Sequence, residues 1–183
     1  LGERVEIAAI ADLREESAKE TAKRHGIPNV YTDTQKMLNE IRPDIVSVCT
    51  PNAYHKELTI MALRSGVHVI CEKPIALTYK DAKIMYEEAE KANRYLIASQ
   101  SKRFQSDIVA AKDLISTNVL GEIYFGEISS IRRRGIPQWG TFHMKEHSVG
   151  GPFCDIGVHS IDAFLYLIGN PKLKSVNGMA TTK

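Results

Sequence analysis

Val67-His68-Val69-Ile70-Cys71-Glu72-Lys73-Pro74 is the stretch whose reading decides the fold. Apolar, β-forming residues run into an acid, a base and a proline. A near-continuous apolar run of this length is what a strand buried on both faces of a parallel sheet requires. Such a strand delivers the residues after it to the carboxyl edge of the sheet, where open α/β sheets bind ligands. Pro74 restricts Lys73 to extended or turn conformations and ends the strand. Lys73 is therefore the first candidate for chemistry.

Upstream, the same alternation repeats. Val5 to Ala11 is a strand-length apolar run that stops at Asp12, and Glu15 to His25 is helical, with Ala18 and Ala22 on one face and Gly26 as its stop. Asp33 or Thr34 caps a short helix carrying Met37, Leu38 and Ile41, which Pro43 breaks. Ile45 to Thr50 is the second strand and ends in Pro51-Asn52, and Ala53 to Ser65 is helical. Downstream of Lys73, Thr78 caps a helix that runs to about Asn93, and Tyr95 to Ser99 is a fourth strand. The β-α-β-α-β-α-β order implies a parallel sheet covered on both faces.

After Gln100 the pattern changes. Ser106 to Asn118 reads as an amphipathic helix with Ile108, Ala111, Leu114 and Ile115 inward. Ile123 to Arg132 reads as a long strand with one wet face, Arg133 to Gly151 as a long loop, and Phe153 to Ile168 as a helix with Ile161, Leu165 and Ile168 in the core. The tail from Lys174 could start another strand.

The net charge of +2 offers no electrostatic case for nucleic acid or an anionic membrane. Three cysteines without paired spacing argue against a disulfide framework or a zinc module and suit a reducing cytoplasm. No apolar run approaches the ~20 residues that span a bilayer.

Polar residues gather where the strands end: Asp12; Thr50-Pro51-Asn52 with His55 one turn on; Glu72-Lys73; and Gln100, followed by Lys102-Arg103. Each has a plain structural explanation as a cap, turn or solvated side chain. Their coincidence at one edge points to a site. A second constellation, Gly150-Gly151-Pro152-Phe153-Cys154-Asp155-Ile156-Gly157-Val158-His159-Ser160-Ile161-Asp162, sets Asp155 and His159 four apart, on one helix face. Such a pair serves proton transfer, or equally a helix start beside a core histidine. His143 and His147 are also four apart, but the segment is not H-E-x-x-H, which weakens a metal-enzyme reading.

Together these motifs resemble the glucose–fructose oxidoreductase / inositol dehydrogenase / MocA (Gfo/Idh/MocA) family of NAD(P)-dependent oxidoreductases. The resemblance rests on Glu72-Lys73-Pro74 after a strand, G-G-x-x-x-D-x-G-x-H-x-x-D from Gly150 to Asp162, and Thr50-Pro51-Asn52 with His55. It implies an α/β fold: a partial Rossmann domain over residues 1–101, then the start of an α+β substrate and oligomerisation domain over 102–183 with a mostly antiparallel sheet. It implies hydride transfer between NAD, with NADP as an alternative, and a sugar, polyol or cyclitol; a non-catalytic sensor of the same fold is the rival reading. Asp12 matches the acid on the adenosine ribose, with Arg14 able to accept a 2′-phosphate. Thr50, Pro51, Asn52, His55, Glu72, Lys73 and Gln100 line the dinucleotide. Lys73 matches the catalytic lysine, while Asp155 and His159 match the substrate-side pair; which of Lys73 and His159 is the main acid/base stays open. Arg103 and Trp139 join the substrate side. A homo-oligomer is expected, and no metal. The family opens with a strand and a G-x-G-x-x-G turn ahead of the ribose acid. No such turn precedes Asp12, so the expectation is an internal part of a longer protein.

Overall fold

The computed structural model describes residues 4–131, 151 and 153–179. Its first part alternates β1 (Ala9–Ala11), α1 (Glu15–His25), β2 (Asn29–Tyr31), α2 (Thr34–Ile41), β3 (Ile45–Val48), α3 (His55–Arg64), β4 (His68–Cys71), α4 (Tyr79–Ala92) and β5 (Leu96–Ala98). All pairings are parallel, as an α/β fold of Rossmann type demands. The helices stop where expected. Gly26 and Gly66 take positive φ, and Arg42 and Asn93 adopt the same left-handed conformation. Asp33 accepts the Lys36 amide and Thr78 the Asp81 amide as N-caps.

Two details differ from the sequence reading. Asn29–Tyr31 is an additional strand; three residues are too few to show a period. The strands also form two sheets, β1-β2 and β3-β4-β5, rather than one. In a doubly wound sheet of order 3-2-1-4-5-6 these are the two flanks of the central strand. Among the described residues nothing pairs between β1 and β3, so Val5 to Ala8 make no ladder and Ile45 is 55% exposed.

The core lies in the second sheet. Val48, Val69 and Cys71 pack with Leu38 from α2, Ala62 and Leu63 from α3, and Met85 and Ala89 from α4, all buried. β4 is the middle strand, hydrogen-bonded on both sides. This explains why the stretch from Val67 reads as apolar throughout.

The second part holds a 3-10 turn (Ser101–Phe104), α5 (Ser106–Ser116), a π-helical turn (Phe153–Gly157) and α6 (Val158–Leu167). Leu114 on α5 is exposed, and Ile108, Ala111 and Ile115 are only half-buried, against the expectation of an inward stripe. Ile123 to Ile131 forms no strand, because no described strand lies beside it to take its ladder hydrogen bonds; Tyr124 is 95% exposed. The tail to Met179 is also irregular. Gly126 lies so close to Phe164 of α6 that an added Cβ would sit 2.5 Å from the ring. Lys112 of α5 donates to the Tyr166 and Leu167 carbonyls, closing the C-terminal end of α6.

Candidate functional site

The carboxyl ends of β3, β4 and β5 lie side by side. The register sets Val48 opposite Cys71 and Cys71 opposite Ala98, so Thr50, Glu72-Lys73 and Ser99-Gln100 emerge at one edge. Glu72 binds that edge together. One carboxylate oxygen accepts the Ser99 hydroxyl at 3.0 Å and the other accepts the Lys73 amide at 3.1 Å.

Lys73 reaches across to the second part of the chain. Its Nζ donates to the main-chain carbonyl of Asp155 at 2.8 Å and to Asp155 Oδ1 at 3.0 Å. Both side chains are largely shielded, at 15% and 27% exposure. Asp155 sits in the π-helical turn rather than in a regular α-helix. Within that turn its carbonyl accepts the Lys73 ammonium. Such turns concentrate at functional sites.

His159 opens α6. Among the described residues its buried Nδ1 has no hydrogen-bond partner. Burial pushes its pKa below the ordinary histidine value, and the positive charges of Lys73 and Lys102 push the same way against Asp155 and Glu72. Thr50 Oγ1 and Gln100 Oε1 are likewise buried without a partner among the described residues. Buried polar atoms are normally paired, so these three, after β3, after β5 and on α6, suit a polar ligand. Pro74, Gln100, Cys154, Val158 and Asp162 line one cavity of about 310 Å³ between the sheet edge and α6. A larger concavity of about 470 Å³, lined by Leu38, Arg42, Arg64 and Gly66, lies at the opposite edge and holds none of these groups. Ile161 and Leu165 line the first cavity instead of entering the core.

Two candidates, His55 and Arg103, have side chains committed within the protein. His55 is completely buried. Its Nδ1 faces the Pro74 carbonyl at 2.9 Å and its Nε2 the Thr50 carbonyl at 2.8 Å, leaving no polar atom for a ligand. Arg103 gives two N–H groups to Asp162, at 2.7 and 2.5 Å, and lies over the Tyr166 ring. Its guanidinium is committed to α6. Asp12, at the end of β1, accepts the Arg14 amide at 2.8 Å and so turns the chain into α1. Its other oxygen makes no hydrogen bond among the described residues. Pro51 and Asn52 lead from β3 into α3 through a 3-10 turn. Trp139, His143 and His147 lie outside the described residues.

Two participants were not assigned from sequence. Ser99 orients Glu72, and its only signal is its place at the end of β5. Lys102, noted in the sequence only for its place after Gln100 and given no role, acts on His159 from that turn. Among the described residues no three His, Cys, Asp or Glu side chains form a metal-binding group, and no helix is long and apolar enough to cross a membrane.

Known proteins share this fold. Residues 1–100 match the family described as "Oxidoreductase family, NAD-binding Rossmann fold", and residues 108–183 match "GFO/IDH/MocA C-terminal domain". The chain is 42% identical to D-glucoside 3-dehydrogenase of Escherichia coli K12 over 98% of its own length and 51% of that protein. It is 29% identical to myo-inositol 2-dehydrogenase of Thermotoga maritima, over 88% of this chain and 47% of that one. Among solved structures, levoglucosan dehydrogenase in complex with NADH and levoglucosan aligns with a TM-score of 0.75 at 28% identity, covering 88% of this chain and 45% of that one. The chain thus spans about half the length of the curated relatives it matches.

Proposed function

Since the chain belongs to the Gfo/Idh/MocA family of oxidoreductases, we propose that it supplies the catalytic edge of an NAD(P)-dependent dehydrogenase acting on a secondary hydroxyl of a sugar, polyol or cyclitol. The observation that carries this reading is the Lys73 ammonium, held by the Asp155 carbonyl and carboxylate at the carboxyl edge of the sheet. The names of its relatives favour glycosides and inositols as the first substrates to test.

The bound dinucleotide would accept the hydride. The chain's residues do the rest. Two of the three N–H donors of Lys73 are used on Asp155, and the third is left for the reacting oxygen. His159, neutral at pH 7 because its pKa is held down, takes the hydroxyl proton. Asp155 keeps Lys73 in place and offsets some of the positive charge around His159. This divides the labour between the two candidate acid/bases: Lys73 orients and polarises, and His159 accepts.

For the dinucleotide, the unpaired Thr50 Oγ1 and Gln100 Oε1 fit a polar ligand at the edge, with Asn52 and Pro51 alongside and Glu72 near the reacting end. Asp12 would hold the adenosine ribose and disfavour a 2′-phosphate, so NAD is the proposed cofactor, with Arg14 the route by which NADP could be used. We divide the chain at 101/102 into a dinucleotide part and a substrate-side part with an antiparallel sheet; the family matches cover residues 1–100 and 108–183 separately. Three unpaired cysteines suit a cytoplasmic setting, and a homo-oligomer is the proposed assembly.

Nicotinamide absorbance on the full-length protein, with NAD and NADP against methyl glucosides, inositols and aldoses, tests the proposal. Reduction of NAD by any of them supports it. Silence across the panel without dinucleotide binding overturns it.

A further inference from the structure

Among the described residues, His55 is the site candidate whose polar side-chain atoms are wholly consumed inside the protein. It is completely buried, and its two ring nitrogens stand 2.9 Å from the Pro74 carbonyl and 2.8 Å from the Thr50 carbonyl. These carbonyls belong to different strand ends. Thr50 follows β3 and leads into the Pro51-Asn52 turn; Pro74 follows Lys73 at the end of β4. Beyond the last ladder bond, from the Glu72 amide to the Val48 carbonyl, the described hydrogen bonds between these two loops run through this ring.

We propose that His55 is a positioning residue that locks the lysine-bearing loop to the dinucleotide-side loop, fixing the distance between the lysine that orients the reacting oxygen and the cofactor. The inference rests on the dehydrogenase reading above. A packed apolar ring would fill the same space without linking either carbonyl. A neutral imidazole serves one carbonyl with its single N–H, and both are served only when both nitrogens carry protons. The two links act on different loops. The Pro74 bond orients Lys73, and the Thr50 bond orients the loop beside the dinucleotide. Small errors in such distances are costly, because a reacting pair must be held near attack geometry.

The two links can be separated. An asparagine amide reaches the place of Nδ1, and a glutamine amide the place of Nε2. His55→Asn therefore keeps the bond to Pro74, and His55→Gln keeps the bond to Thr50. Both variants are made in the full-length enzyme, and NADH affinity is measured by fluorescence titration alongside kcat. The expected pattern is crossed: H55Q keeps its NADH Kd within about twofold and loses roughly tenfold or more in kcat, whereas H55N keeps kcat within about threefold and weakens NADH roughly tenfold. If no substrate of the panel is turned over, the Kd contrast alone decides. The inference is overturned if both variants match the wild type, if both lose affinity and turnover together, if the pattern is reversed, or if neither folds, since His55 would then serve the fold alone. Wild-type protein that neither binds NADH nor turns over removes the dehydrogenase reading and the inference with it. An active wild type without the crossed pattern removes only the inference.

Discussion

The Lys73 ammonium nitrogen lies 2.8 Å from the main-chain carbonyl oxygen of Asp155 and 3.0 Å from its Oδ1, across 82 positions of sequence. One ion pair thus joins the parallel-sheet half of the chain to the half that begins at the 3-10 turn. On the proposed roles, Lys73→Ala removes the group that orients the reacting oxygen, and kcat should fall by roughly 10²–10⁴ with NADH affinity little changed. Asp155→Asn keeps the carbonyl contact and loses the charge, so its loss should be smaller, about tenfold. Steady-state kinetics with a parallel NADH titration check both. Near-normal turnover in Lys73→Ala would sink the assignment.

His159 makes the pH profile informative. A proton acceptor works when neutral, so kcat/KM for alcohol oxidation should rise with pH and level off through a limb below the ordinary histidine value of about 6.5. Lys102→Gln removes one of the positive charges that hold this pKa down, and the limb should move up. Asp155→Asn removes an opposing negative charge, and the limb should move down. An NMR titration of the His159 ring should follow the same order. A limb that ignores Lys102 would show that another group is being titrated.

The cysteines should differ sharply in reactivity. Cys71 is buried at the end of β4, and burial pushes its thiol pKa up to about 11. Cys49 is exposed. A thiol reagent at neutral pH should label Cys49 within minutes and reach Cys71 only on unfolding, as mass spectrometry of the labelled peptides would report. Rapid labelling of Cys71 in the native protein would contradict the packing of this strand.

Arg103 and Asp162 tie the 3-10 turn to α6 through two parallel hydrogen bonds, with side-chain exposures of 37% and 14%. Water reaches the arginine and weakens the pair, so breaking it with Asp162→Asn should cost about 1–2 kcal/mol of stability. Arg103→Lys should not recover the loss, because an ammonium cannot reproduce the planar fork. Denaturant midpoints of the two variants and the double variant measure the coupling. Full stability in Arg103→Lys would mean that the pair acts only as two point charges.

How much of the molecule is legible in its sequence follows from how local each signal is. The stretch Val67 to Cys71 buries Val67, Val69 and Cys71 on one face and half-buries His68 and Ile70 on the other, so its run of β-forming residues reports its place, and the Gly26 and Gly66 stops need only one residue. The convergence of Thr50, Glu72-Lys73 and Gln100 follows from parallel strands sharing an edge. Long-range choices are hidden. Nothing near His55 signals that its ring faces two carbonyls, one of them 19 positions away. Arg103 carries no mark of its partner in α6. Asp155 and His159 keep helical spacing, and that spacing alone does not tell an α-helical from a π-helical turn at Asp155. The strand expected at Ile123 to Arg132 needs a neighbour to pair with, and a strand's own alternation cannot supply one.

The division of the sheet also orders how the molecule comes apart. The buried cluster belongs to β3, β4, β5 and helices α2, α3 and α4, while α1 contributes no residue to it. Local openings with little exposed apolar surface are the cheapest. Deuterium should therefore enter α1 and the β1-β2 pair first. It should enter last at the amides of β4, such as Val69, which donates to Tyr95 from the middle strand. Lys73 hangs two residues beyond the end of that strand, so its attachment point belongs to the slowest-exchanging part of the parallel sheet, and the loop at Asp12 to the fastest.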